Sequence, residues 1–561
     1  MPNLFFKKHN SNIGLVWQER LGLILILIVM LVLMSRRIYD PTVNGTADAH
    51  RHLMDGVFIL DFIREMPIGN VYDFTANYYA QYPALSIGYH PPFFPFIEAL
   101  FNGVFGINIW SSRLSVLSFA VVGVIAWFKL VKSVFNNNTA FWTSMLLVTT
   151  PFVVRWGWDT MAEIPALSMT MLTAYVFYRY TETRRPGYLY ASAIIFCLTV
   201  WTKQTTIFIL PWFLLFLTIK KQCLVFFRHK EGWIAIICII VLLIPLALIT
   251  LWLGDKNVEQ SIGAKDPSFT WYRWYRITFY LLELVKNQLT WPVSILCIIG
   301  IGCTAWKRDN RCIYFALLVF CVYIFFTYLL AKDVRYTIFW MPAFCLFAVL
   351  PVLYLRKSKI FYVAGNVVLS FIVIYQISLV YYKTLPIYTK GYDEAVRYIL
   401  RENPMPVVFF DGHCSAYFTY LMRMLDSEKT MYVLRGDKLL SSHSIYPKSN
   451  LKIHANSRKD IEKIFDKYGI LYVVVQSGDW TGGIEIHQEL RVFLDSGPFR
   501  LVREIPIESN LNKLKGQKLK IYKYLNAKPI TADYLELHLP SVGKALKVPI
   551  RHLQTNKWSI Q

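Results

Sequence analysis

Apolar runs recur along the chain from residue 14 to about residue 380 and then stop. A helix needs about 20 consecutive apolar residues to cross the hydrocarbon core of a bilayer, and these runs have that scale. Between pairs of them lie basic segments: "RYTETRR" (179–185), the lysine- and arginine-rich stretch 220–230, "KRDNR" (307–311) and "RKSK" (356–359). Loops rich in Lys and Arg stay on the cytoplasmic side. All four can be cytoplasmic together, which sends Arg155–Glu163, Trp201–Gln204, Leu253–Trp291, Ala331–Arg335 and everything after Tyr381 to the outer side. The pattern predicts a polytopic α-helical membrane domain over 1–382 with 11–13 transmembrane helices and an outer loop over 35–90. Its first helix has a basic flank and no small-residue cleavage site after Met34, so it is read as uncleaved, with its start inside.

One parity problem follows. Three apolar stretches (91–107, 112–131 and 139–154) lie between the outer loop and Asp159. Three full crossings would bring Asp159 inside, so one stretch must be half-inserted or merged with a neighbour.

Beyond about residue 385 the period changes. "YDEAVRYILREN" reads as an amphipathic helix, "PVVFFDG" as a buried strand, and "IEKIFDKYGILYVVVQSG" as helix then strand. This alternation predicts a soluble α/β domain over 383–561, on the extracytoplasmic side. No phosphate loop, metal cluster or Ser/His/Asp spacing marks it, and "GDWTGG" (478–483) reads as a turn.

Composition supports the membrane assignment: 55% of residues are hydrophobic and only 17% charged. The net charge of +23 belongs to cytoplasmic loops and to surfaces facing anionic lipid, not to a nucleic-acid partner. Eight of the nine cysteines lie in or beside apolar segments, and no spacing suggests zinc or a disulfide framework.

Candidate chemistry gathers on the predicted outer side. In "GTADAHRHLMDG" (45–56) a helix would put Asp48, His52 and Asp55 on one face. His50 points elsewhere, which makes His50–x–His52 a poor metal clamp. In "GYHPPFFPF" two prolines fix the backbone at the entry to the bilayer and leave His90 at the interface. Asp159 and Glu163 stand one turn apart before an apolar helix, where a carboxylate also suits the helix dipole. Lys203 in "TVWTKQTTIFILP", Arg273 and Arg276 in "FTWYRWYRITFY", and Arg335 in "AKDVRYTIFWMP" supply cations. Aromatic belts and snorkelling arginines are the ordinary reading of such residues; a phosphate site is the functional one. Carboxylates and cations on one face suit group transfer from a lipid phosphate. A carboxylate takes the acceptor's proton while cations stabilise the charge on the departing phosphate.

With "DAHRHL", "HPPFFPFIEALFNGVFG" followed by "RLSVLSF", "WDTMAEIPAL", "TKQTTIFILP" and "RYTIFWMP" in this order, the chain resembles the GT-C class of glycosyltransferases. It is similar in particular to the bacterial aminoarabinose transferases, the Rgt-like galacturonosyl transferases and the protein O-mannosyltransferases. The resemblance spans roughly residues 14–350. It implies a GT-C fold and an inverting transfer of a sugar from a polyprenyl-phosphate donor to a lipid, polysaccharide or protein acceptor on the outer face of a bacterial inner membrane.

By that analogy Asp48 is the base, Asp159 the second acid and Glu163 its understudy. Lys203 and an arginine of 269–280 contact the donor phosphate, a role also expected of His90 and Arg335. His90 departs from the lysine of the aminoarabinose transferases' "KPP", and His52 stands where an aromatic residue is common. No obligatory cofactor is implied, although acidic groups could hold a divalent metal through oxygen ligands. The alternative reading is a transporter or flippase of lipid-linked sugars, whose ionisable residues would lie near the midplane; Glu98 is the main charge so placed.

Overall fold

The computed structural model describes residues 4–42, 47–86, 89–253, 269–443, 451–539 and 544–555. It divides into two compact units. The first comprises Met1–Ile38, Arg113–Leu248 and Glu259–Leu385; the second comprises Tyr39–Ser112, Ile249–Val258 and Pro386–Gln561.

The first unit is helical. Among the described residues, five helices have the length and composition to cross a membrane: Ile109–Val134 (most of it in this unit), Lys230–Leu253, Asn310–Tyr328, Val334–Tyr354 and Lys359–Tyr382. Shorter apolar helices include Pro186–Thr202, Gln204–Ile219 and Trp291–Lys307. Prolines at the first turns of Pro151–Gly157, Pro186–Thr202, Trp291–Lys307 and Met341–Tyr354 occupy positions where no helical N–H bond is lost.

With lipid outside, helices associate through close backbone approach and buried polar contacts. Gly300 provides the first: a Cβ there would overlap the carbonyl oxygen of Phe347. Gly123 meets the Cα of Ser168 in the same manner, at 2.6 Å from an added Cβ. Buried polar bonds tie the helices as well. The Trp340 indole donates to Gln288 Oε1 at 2.7 Å, Gln288 donates to Val334 O at 2.7 Å, and Thr149 donates to Gln376 Oε1 at 2.7 Å. The helix Met341–Tyr354 is buried along nearly its whole length and forms the centre of this unit.

The second unit joins three helices near the N-terminus, Ala47–Glu65, Val71–Gln81 and Phe93–Phe105, to the α/β tail. Its strands are β1 (Val407–Asp411), β2 (Tyr432–Arg435), β3 (Ser441–Ser442), β4 (Lys452–Ile453), β5 (Tyr472–Gln476), β6 (Phe499–Pro506), β7 (Lys518–Tyr524), β8 (Tyr534–Leu539) and β9 (Lys544–Pro549). The main sheet runs β2-β1-β5-β7-β6. β1 is parallel to β2 and β5, while β7 is antiparallel to β5 and β6.

Every residue of β1, β2 and β5 is buried, as unbroken apolar runs in parallel strands should be. The helix expected in "YDEAVRYILREN" forms over Tyr392–Glu402, and the strand in "PVVFFDG" is β1. "GDWTGG" is a turn: Asp479 Oδ1 accepts from the Thr481 N–H at 2.8 Å, and Gly482 and Gly483 have φ of 71° and 88°, a left-handed backbone suited to glycine.

The parity problem has a structural counterpart. Phe93–Phe105 has 13 residues, about 20 Å of helix at 1.5 Å per residue, against a hydrocarbon core of about 30 Å. It packs in the same compact unit as the helices Ala47–Glu65 and Val71–Gln81.

Candidate active site

In the second unit the helix Ala47–Glu65 carries Asp48, His50, His52 and Asp55. Asp48 lies in its first turn and is half-buried. His50 turns away from the His52 face and stacks on Tyr417, with ring centroids 4.9 Å apart. His52 and Asp55 are buried and meet the loop that ends at His90. Both oxygens of Asp55 accept from Ser86: Oδ1 from the backbone N–H at 2.8 Å, and Oδ2 from the hydroxyl. Burial pushes the Asp55 carboxyl up to about 7, against the lowering effect of these hydrogen bonds. His90 Nδ1 lies 3.0 Å from the Ser86 hydroxyl, and the His90 ring stacks on His52 at 4.2 Å. His52, Asp55 and His90 each bring one ligand-type atom within 4.8 Å of the others. Sequence spacing put His52 and Asp55 on one helix face; that His90 and Ser86 join them is a tertiary contact that no local pattern announces.

A turn and a half further along, Asp61 is fully buried. It accepts from the Tyr78 hydroxyl at 2.7 Å, from Arg423 Nε and Nη2 at 2.9 and 2.7 Å, and pairs with Lys429 at 3.0 Å. Burial works to raise its carboxyl, but the Arg423, Tyr78 and Lys429 contacts outweigh it and hold the group below the usual carboxylate range.

The first unit holds the other candidates. Glu163 opens the helix Glu163–Thr183 and is buried. Lys203 sits at the break between Pro186–Thr202 and the next 3-10 turn, with extended backbone (φ −155°, ψ 116°), and its ammonium reaches Glu163 Oε1 at 2.7 Å. Arg335, in the 3-10 turn Val334–Trp340, lies 3.6 Å from the same oxygen and 3.1 Å from Asp333. One buried carboxylate therefore faces two cations drawn from distant sequence positions, which casts Glu163 as their counter-ion. Asp159 is buried in the bend before that helix.

Arg276 donates to the Tyr328 carbonyl, and Lys332 donates to Phe326 O and Thr327 O at 2.6 and 2.9 Å. Burial, with Arg276 adding repulsion, brings the Lys332 ammonium down to about 7. Arg273 falls within the helix Phe269–Glu283, but its side chain lies outside the described residues.

The tail holds a grouping that no spacing foretold. The Ser441 hydroxyl lies 2.7 Å from His487 Nε2, and His487 Nδ1 lies 2.7 Å from Asp411 Oδ1. Arg491 binds the other Asp411 oxygen at 2.9 Å. The order resembles a hydrolytic relay, yet Ser441 and Asp411 are 0% exposed and His487 1%. Burial tends to raise the Asp411 carboxyl, and His487 and Arg491 outweigh it, keeping it below the usual range. With its hydroxyl sealed and its carboxylate shared with a guanidinium, this network pins β1, β3 and the helix Glu485–Ser496 together.

Residues 89–249 match the family profile described as dolichyl-phosphate-mannose-protein mannosyltransferase. No curated protein matches the sequence. Among solved structures, the chain is similar to ArnT from Cupriavidus metallidurans bound to undecaprenyl phosphate: 12% identity, TM-score 0.55, 88% of this chain and 98% of that one covered. It is also similar to the oligosaccharyltransferase AglB from Archaeoglobus fulgidus in complex with an inhibitory peptide and a dolichol-phosphate: 11% identity, TM-score 0.51, 82% and 69% covered. A third is the arabinofuranosyltransferase AftD from Mycobacteria: 12% identity, TM-score 0.51, 92% and 40% covered. The fold is that of the GT-C glycosyltransferases. The chain is an integral membrane protein with this fold and a C-terminal α/β portion.

Proposed function

We propose that this protein is a membrane glycosyltransferase that moves a sugar from a polyprenyl-phosphate donor to an acceptor hydroxyl, with inversion, on the extracytoplasmic face of a bacterial inner membrane. The observation that carries the reading is the GT-C fold across 88% of the chain, shared with a protein crystallised with undecaprenyl phosphate, together with the cations gathered about Glu163.

In this reading Asp48 accepts the acceptor's proton as its oxygen forms a bond to the sugar's anomeric carbon. The bond from that carbon to the phosphate oxygen breaks, and polyprenyl phosphate leaves carrying the electron pair. Asp159 is the second acid. Lys203 and Arg335 contact the leaving phosphate, with Glu163 holding their head groups apart until donor arrives; Arg273, Arg276 and His90 complete the donor contacts. The mechanism calls for no obligatory cofactor. Phe93–Phe105 is the half-inserted stretch that keeps Asp48 and Asp159 on one side, and 383–561 is an extracytoplasmic domain that helps dock a lipid, glycan or protein acceptor.

Purified protein given labelled polyprenyl-phosphate sugar and a cell-envelope extract tests this. Release of free polyprenyl phosphate with label on an acceptor is expected. Intact donor crossing a vesicle membrane without cleavage would favour the transporter reading instead.

A further inference from the structure

We propose that His52, Asp55 and His90 form a binding site for a first-row divalent transition metal, zinc being the natural probe. Its donor set is two imidazole nitrogens and one carboxylate oxygen, all within 4.8 Å of one another. That combination suits zinc-type ions, whereas calcium and magnesium take shells of oxygen. Three protein ligands leave a coordination position open.

The surroundings are built for such a site. His52 and Asp55 are three residues apart on one helix, so both project from the same face. His90 precedes Pro91, which restrains its backbone to extended conformations. The proton of the Ser86 hydroxyl goes to Asp55 Oδ2. Ser86 Oγ must then accept from the Nδ1–H of His90, 3.0 Å away, and the lone pair of His90 is left on Nε2. A ligand imidazole whose second nitrogen is fixed by a hydrogen bond is the usual arrangement behind a metal.

The rings of His52 and His90 stack face to face beside a buried carboxylate, and a cation there would offset the cost of burying that carboxylate. Tetrahedral bonds of about 2.1 Å set ligand atoms about 3.4 Å apart. Metal binding therefore draws the three ligand atoms, within 4.8 Å of one another, closer together, and the half-buried His90 side chain gives the ion a route in.

This inference is independent of the transferase reading: metal can bind whether or not sugar is transferred. Full-length protein in detergent, stripped with a chelator and titrated with Zn2+ against a competing dye, is expected to bind about one equivalent. Co2+ in its place should give the visible ligand-field bands of a low-coordinate nitrogen–oxygen site. His52→Ala and His90→Gln should each weaken binding at least tenfold, while excess Ca2+ should not displace the ion. His538→Ala, at the other stacked histidine pair, with His454, should leave binding unchanged. His90→Gln replaces a half-exposed side chain and serves if His52→Ala does not fold. Absence of stoichiometric binding, displacement by Ca2+, or binding lost with His538 but kept in His90→Gln would each overturn the assignment.

Discussion

Replacing Arg423 with Met tests how the tail holds the helix that bears Asp48. Asp61 has no exposure, and two of its four contacts come from the Arg423 guanidinium. Methionine keeps the apolar stem and removes the fork, so the carboxylate stays buried with only Tyr78 and Lys429. Breaking a buried ion pair from one side costs about 3–5 kcal/mol. The two surviving partners put this case at the lower end, about 3 kcal/mol, or about 150-fold in a local opening constant at 1.36 kcal/mol per tenfold.

Hydrogen exchange of the full chain in detergent reads that constant directly. Amides of both Ala47–Glu65 and Ser415–Leu425 should lose about two orders of magnitude of protection. The double variant Arg423→Met with Asp61→Leu should regain most of it, because no charge is then left unpaired. The folded carboxyl of Asp61 sits below its unfolded value of about 3.9, so its contribution is present above that pH and is lost as pH falls through the folded value. The wild type should therefore lose protection below about pH 4, and Arg423→Met should show less of that acid loss. Unchanged protection in Arg423→Met, or loss confined to the tail helix, would refute the reasoning.

Other outcomes follow from the same geometry. Asp48→Asn is expected to lower turnover by about 100-fold or more while keeping donor affinity, since a general base supplies about that factor; single-turnover kinetics with separately measured donor binding decides it. Lys203→Ala and Arg335→Ala should each weaken donor binding by about 10- to 100-fold, the worth of a charged hydrogen bond, whereas Glu163→Gln should tighten it by removing the counter-ion; a filter-binding assay with labelled donor gives all three, and weaker binding in Glu163→Gln would remove that role. Gly300→Ala should destabilise the helical unit by about 1–3 kcal/mol through overpacking against Phe347, read as a lower thermal midpoint in detergent.

Local pattern made much of this molecule legible. The change of period near residue 385 marks the tail, and the i, i+4, i+7 spacing of Asp48, His52 and Asp55 anticipates how His50 and His52 part. What escaped was non-local. Lys203 and Arg335 share one oxygen of Glu163, but a sequence shows three charges at helix ends and not which pair meets which. Ser441, His487 and Asp411 come together only because β1, β3 and a helix converge, and their order along the chain matches no compact motif. Ser86 carries no local signal of its role, yet its hydroxyl and N–H occupy both oxygens of Asp55. The same holds for Asp61, whose partner lies 362 positions downstream.

That separation bears on how the chain is made. At about 5–20 residues per second, Asp61 waits about 20–70 s on the ribosome's schedule before Arg423 is synthesised. Phe58, Phe62, Phe74 and Tyr78, whose rings lie within 5.1–6.2 Å of their neighbours, supply a local cluster that can keep the early helices together meanwhile. A chain shortened at residue 385 would retain an acid whose salt partner never arrives, so its inactivity would report a misassembled N-terminal segment rather than the tail's own contribution.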